Sequence, residues 1–318
     1  MTSLLERARR IDLTPYVVYI GFFAILLFFA VTLADDGFLT TGNLLNIVRQ
    51  SAPVAVMAIG VVFALSAGEI DLSIGSVVAL SALVTAVVLR GTEMMVLGVL
   101  AGLGVGLAVG LVNGLLVTKI RIPSFLVTLA TMEIVAGLAR TITNLESVPV
   151  THMLFVTIFG SGNIGPVSSL VIWVLVALAL GVLVYRWTPY GAHVLATGDN
   201  VQAARVTGIN TDRIKISVLM ISASSAAVAG MLFAGRLQSA RYTLGEAELL
   251  TVIAAVIIGG TRLFGGKGSI LGALVGALIM GMLNNGLILM GLSVSNQMVA
   301  RGIIIVLAVA LSLREIRT

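Results

Sequence analysis

The chain has 318 residues, 58% of them hydrophobic, and only 19 basic and 14 acidic side chains. A soluble chain of this length would carry roughly 80 charges, and a charge at mid-bilayer costs about 2.5–3.5 kcal/mol even on a lenient scale, so the deficit excludes a soluble globular protein. With no cysteine and two histidines, His152 and His193, thiolate metal sites, iron–sulfur clusters and disulfides are excluded and no metal site is expected.

In chain order the apolar segments are 16–34, 52–67, 74–89, 95–117, 124–145, 168–187, 214–234, 249–264, 269–290 and 297–313. A crossing helix needs about 20 apolar residues, and no soluble module interrupts the series. The expected fold is therefore an all-α integral membrane protein of about ten transmembrane helices, in one domain over 1–318. The first segment is too long for a signal-peptide core and is followed by Asp35-Asp36, so it reads as a retained signal anchor. Placing both termini in the cytoplasm, with 1–15 as the cytoplasmic N-terminus, puts thirteen of the 19 basic residues inside. The net charge of +5 then reflects topology, and no nucleic-acid partner is expected.

Two pairs of short motifs recur half a chain apart. Gly68-Glu69-Ile70-Asp71-Leu72 matches Gly245-Glu246-Ala247-Glu248-Leu249, and Asn113-Gly114-Leu115 matches Asn285-Gly286-Leu287. Members of each pair lie five spans apart, so equivalent helices run in opposite directions, and a 5+5 inverted repeat is expected. Short, glycine-interrupted segments at 68–76 and 245–268 then mark either a wet binding region or capped turns. Gly102, Gly106, Gly110 and Gly114, with Gly272 and Gly276, form stripes for close helix packing.

Polar groups within the apolar segments or in the interrupted stretch 68–76 are the candidates for a translocation path: Glu69, Asp71, Ser73, Asn113, Glu133, Asn284 and Asn285. An ionisable group inside a span is a functional candidate by default, although Glu133 could equally lock two helices together. Catalysis is not expected. The chain has no G-x-S-x-G or H-E-x-x-H motif, and Thr261-Arg-Leu-Phe-Gly-Gly-Lys267-Gly268 lacks the first glycine and the final Ser or Thr of a phosphate loop. The hydrophilic stretch 188–213 contains a short helix at 201–207, which Asp199 or Asn200 can cap and Gly208 can stop. Two turns are unstable alone, so that helix is either docked on a partner or an incidental turn in a connector.

This loop, together with GEIDLSIGSVVALSA (68–82), NGLLVTKIRIPSFLVTLATM (113–132) and AAVIIGGTRLFGGKGSILGALVGALIMGMLNNGL (254–287), resembles the permease subunits of bacterial ATP-binding-cassette importers for ribose, xylose, galactose and related sugars, themselves related to branched-chain amino-acid permeases. The likeness extends from about residue 40 to 312. It implies a multi-pass protein of the bacterial plasma (inner) membrane, importing a monosaccharide delivered by an extracytoplasmic sugar-binding protein. It also implies a second permease chain, identical or different, and a cytoplasmic ATPase subunit that binds the ATP, so this chain needs no cofactor. Gly198, Asp199, Asn200, Ala203, Ala204, Arg205 and Gly208 would form the ATPase-coupling loop. The chain departs from the family pattern at Glu69, Glu133 and Ala136, which bears on the solute rather than the mechanism. The competing class is an ion-coupled secondary transporter using Glu133 or Asp71.

Overall fold

Within lipid only helices and closed barrels satisfy their own backbone groups, and the apolar runs fold as helices in the computed structural model, which describes residues 17–314. In order these are α1 (Val17–Thr32), α2 (Thr41–Ser66), α3 (Ile74–Thr92), α4 (Met95–Leu115), α5 (Ser124–Ile142), α6 (Met153–Val156), α7 (Ser169–Trp187), α8 (Pro189–Asp199), α9 (Val201–Val206), α10 (Thr211–Leu237), α11 (Glu248–Ile258), α12 (Ile270–Leu289) and α13 (Val294–Arg314). Single π turns, Leu116–Ile120 and Thr157–Ser161, prolong α4 and α6. Four two-residue strands form β1 (Val148–Pro149) against β4 (Ser239–Ala240) and β2 (Asn163–Ile164) against β3 (Val167–Ser168), both antiparallel. Among the described residues, seven helices (α2, α3, α4, α5, α7, α10 and α12) are long and apolar enough to cross a membrane.

Three elements depart most from the sequence reading. α2 begins eleven residues before the expected 52, with Thr40 Oγ1 accepting from Asn43 N at its start; Asn43, Asn46, Arg49, Gln50 and Pro53 mask the helix in a hydropathy reading. α11 stops at Ile258 rather than 264, because Gly260 turns the backbone left-handed at φ 86°. The short α6 was not foreseen. It is held by Phe155 stacked on Phe159 at 4.8 Å and Phe159 on Trp173 at 4.9 Å.

The core lies around α2, α3, α10 and α12, while α4, α5 and α7 expose most of their surface. The α4 glycine stripe packs as its spacing requires. A Cβ on Gly106 would come within 2.7 Å of Ala223 O, and one on Gly114 would lie 2.7 Å from Ile216 Cα. Gly272 and Gly276 likewise bring α12 against Gly259 and Ala255 of α11 and its end.

Two helices start inside the bundle. Ser81, seven residues into α3, donates to Ala227 O, sixteen residues into α10, at 2.8 Å. At 1.5 Å per residue α3 therefore begins roughly 13 Å further along the bundle than α10. Gly75 at its start would place a Cβ 2.9 Å from Gly245 O, three residues before α11. α3 leaves this meeting point for the end of the bundle away from the 188–210 loop. α11 runs back toward the loop, where Gly266 N donates to Ser66 O at 3.1 Å and Gly265 packs on Gly198.

Candidate functional site

The segment 69–72, between α2 and α3, is non-helical backbone inside a helical bundle, so its N–H and C=O groups need partners other than water. α5 supplies them from one face. Ser124 Oγ accepts from Ile70 N at 3.1 Å, and Thr128 Oγ1 accepts from Leu72 N at 3.1 Å and donates to Ile70 O at 3.0 Å. Thr131, one turn on, donates to Asn113 Oδ1 at 2.7 Å. Asn113 Nδ2 donates to Ser73 Oγ at 3.1 Å, and Ser73 donates to Asp71 Oδ1 from its hydroxyl at 2.6 Å and its amide at 3.0 Å. Asp71, Ser73, Asn113 and Thr131 thus form one buried chain of hydrogen bonds joining the segment to α4 and α5.

Glu69 is buried and pairs with Lys215 Nζ on α10 at 2.6 Å. The pair lies at the wall of a cleft of about 660 Å³ on the loop side, also lined by Arg121, Ser124, Phe125, Arg205, Asp212 and Phe264. A second, smaller cavity of about 90 Å³ opens between α2, α10, α11, α12 and α13, with Gln50, Ser51, Arg236, Glu248, Asn284 and Arg301 in its wall. Arg236 is 25 residues from the loop end of α10, so this cavity belongs to the far half of the bundle.

The loop helix forms as its residues predict. Asn200, not Asp199, is the cap: its Oδ1 accepts from Gln202 N and Ala203 N, each at 3.0 Å. Gly208 takes the left-handed stop at φ 90°. Ala204 is buried against the chain itself, and Arg205 bonds Thr211 Oγ1 and Asp212 Oδ1, both at 2.8 Å. Gln202, Ala203 and Thr207 face outward with Val206, which is 89% exposed. Tyr190 Oη, 2.6 Å from Ser217 Oγ, ties the preceding α8 to α10.

The family described as "Branched-chain amino acid transport system / permease component" matches residues 43–309. The chain belongs to this permease family. Among its relatives, the ribose import permease of Bacillus subtilis is 39% identical over 302 residues, covering 93% of this chain and 92% of that protein. The ribose import permease of Escherichia coli K12 is 37% identical over 283 residues, 88% of each chain. The L-arabinose transport system permease of the same strain is 35% identical over 284 residues, 89% of this chain and 86% of that one. No solved structure matches. The permease is accordingly a multi-pass integral protein of the bacterial inner membrane.

The seven path candidates of the permease do not gather at one place. Asp71, Ser73 and Asn113 share the buried network, and Glu69 is spent on Lys215. Asn285 is locked in a reciprocal amide pair with Asn43, at 2.9 and 3.0 Å, which ties α12 to α2. Asn284, its neighbour, lines the far cavity instead. Glu133 lies on the opposite face of α5 from the hydroxyls and is exposed. Sequence reasoning missed Ser124, Thr128 and Thr131, whose spacing of four and three on one helix face was the available signal, and Val206, an apolar residue in a polar loop. It also missed Arg236, Glu248 and Arg301, whose extremes lie 65 residues apart and meet only through the fold.

Proposed function

We propose that this permease imports a monosaccharide, working as one of two permease chains above a cytoplasmic ATPase and receiving solute from an extracytoplasmic sugar-binding protein. The ribose and arabinose permeases among its relatives support the solute class. In this reading the chain crosses the membrane ten times as a 5+5 inverted repeat with both termini in the cytoplasm. Support for the repeat comes from α3 and α11. They follow the matching Gly-Glu motifs, start side by side within the bundle and leave in opposite directions.

The observation that carries the mechanism is the loop helix α9. It is capped at both ends, anchored on one side by Ala204 and Arg205, and turns an uncovered valine outward at Val206. An exposed apolar residue on a rigidly held polar helix fits a groove on another protein. The ATPase would close on this helix, and the Arg205 bonds to Thr211 and Asp212 would pass the movement to α10. Residues 198–208 are thus the coupling element, and solute passes between two permease chains, so the permease itself needs no tight solute site.

The test is reconstitution in proteoliposomes. The permease with its ATPase and binding protein accumulates labelled pentose only with ATP. Accumulation by the permease alone, driven by a proton or sodium gradient, would instead establish a secondary carrier acting through Glu133 or Asp71.

A further inference from the structure

The far cavity of about 90 Å³ carries three charged groups in its wall: Arg236 near the end of α10, Glu248 at the start of α11 and Arg301 in the second turn of α13. All three are half-buried, and Arg301 Nε is fully buried with no hydrogen-bond partner among the described residues. The ion pairs within 4.0 Å among those residues are Arg140–Glu246, Arg205–Asp212 and Lys215–Glu69, so neither guanidinium closes on Glu248. The wall therefore has one positive charge in excess, shared by two guanidiniums that border the same small space.

Ionisable groups among membrane helices are costly unless they are paired or hydrated. Water can solvate this cluster but cannot cancel its net charge. The hydrogen-bonding groups left over have one character. Ser51 Oγ donates to Ile47 O and Thr251 Oγ1 to Ala247 O, so both hydroxyl protons are spent on their own helices. What remains is N–H: the two guanidiniums, the Asn284 amide, and the second proton of Gln50 Nε2, whose first goes to Asn46 Oδ1. Guanidinium and amide donors around a common centre bind anions through charge-assisted hydrogen bonds. The space equals roughly three water molecules. That admits a halide with part of its hydration shell and is too small for a sugar phosphate or a nucleotide.

We propose that this cavity is a halide site, normally taken by chloride, bridging Arg236 of α10 and Arg301 of α13. The anion offsets the excess charge and ties the two helices together in the far half of the bundle. Glu248 opposes it from the same wall and keeps binding weak and reversible. Asn284, a path candidate in the sequence, becomes a ligand of this site. The site is separate from the loop-side cleft and from the network of Asp71, Ser73 and Asn113.

The test is thermal unfolding of the purified full-length permease in detergent, with potassium chloride replacing potassium gluconate at constant ionic strength. Gluconate is too large for the cavity. The midpoint should rise by about 2–4 °C as chloride reaches about 0.1 M, and bromide should act as chloride does. Arg301→Gln should abolish the rise, and Arg140→Gln, which breaks a surface ion pair elsewhere, should keep it. Glu248→Gln removes the opposing acid and should reach the same rise at several-fold lower chloride, whereas Arg236→Gln should need several-fold more. Equal wild-type midpoints in the two salts overturn the assignment, and so does a rise that survives Arg301→Gln. Should Arg301→Gln fail to fold, the opposite displacements in Glu248→Gln and Arg236→Gln decide the matter. A Glu248→Gln variant that needs more chloride than the wild type also refutes the site, because the acid would then be aiding the ion rather than opposing it.

Discussion

Lys215 Nζ lies 2.6 Å from Glu69 Oε1, a bond that fixes the second turn of α10 to the non-helical segment before α3. The glutamate side chain is only 4% exposed, so the lysine is its main compensation for lost hydration. Breaking one half of such a pair leaves a charge without a partner, which costs about 3–5 kcal/mol when both groups are fully buried. Lys215 retains some contact with water in the loop-side cleft, which reduces the cost. Glu69→Gln should therefore destabilise the permease by about 1–3 kcal/mol, seen as a lower thermal midpoint in detergent. The double variant Glu69→Met with Lys215→Met should recover most of the loss, because no unpaired charge is left.

Val206 gives the coupling reading its sharpest test. Its side chain touches little of its own chain, so Val206→Asp should leave folding and membrane insertion unchanged. The aspartate would meet an apolar groove on the ATPase, and desolvating it there costs at least a few kcal/mol. Co-purification of the ATPase should fall by at least tenfold, the equivalent of 1.4 kcal/mol, and ATP-driven uptake with it. Arg205→Glu should behave differently. It faces Asp212 with a second acid and frees the helix from α10. Here the ATPase still binds, but hydrolysis no longer produces uptake. Measuring binding and uptake separately distinguishes the two positions.

The local features of the fold were legible because local chemistry dictates them. Apolar length marks α4, α5, α7 and α12, and the four-residue glycine spacing marks the α4 face that meets α10. Asn200 and Gly208 delimit α9 by capping and left-handed backbone geometry alone. What escaped was whatever depends on a distant partner. The same sequence logic that flagged Asn285 as a path residue could not see Asn43, 242 positions away, closing its hydrogen bonds. Composition told that Glu133 lies within a span, but only packing tells which face of α5 it occupies. Ser124, Thr128 and Thr131 look like ordinary small polar residues until the non-helical backbone of 70–72 is set beside them.

Those hydroxyls lead to a third prediction. Thr128 Oγ1 accepts from Leu72 N and shares its single proton between Ile70 O at 3.0 Å and Ser124 O at 2.9 Å, so Thr128→Val strands Leu72 N and withdraws a shared donor from Ile70 O in a region largely shielded from water. Each stranded backbone group costs about 1–3 kcal/mol, and partial exposure of the segment favours the lower end. The expected loss is about 2 kcal/mol in all, with faster amide exchange at Ile70 and Leu72 as its local signature. Thr128→Ser keeps the hydroxyl and should retain most of the stability. Equal losses in the two variants would mean that the methyl packing, not the ladder, holds the segment.

The meeting of α3 and α11 is tested by a pair of glycines that share a backbone conformation but not a neighbourhood. Gly245 has φ 85° and Gly208 has φ 90°. Alanine in that region costs about 1–2 kcal/mol at either position, from clash with its own backbone. At Gly208 nothing lies within 4 Å of the new Cβ, so Gly208→Ala should cost no more than that. At Gly245 the Cβ runs into Gly75 O and comes within 2.7 Å of Val78 Cβ. Neither neighbour is a flexible side-chain end that can swing away, because one is backbone and the other a β-branched carbon at the start of a packed helix. Gly245→Ala should therefore cost at least about 2 kcal/mol more than Gly208→Ala, the scale of overpacking in a filled core. Thermal midpoints of the two purified variants give the comparison. Similar midpoints would mean that α3 and α11 part readily at this point, and the two helix starts would then not be in tight contact within the bundle.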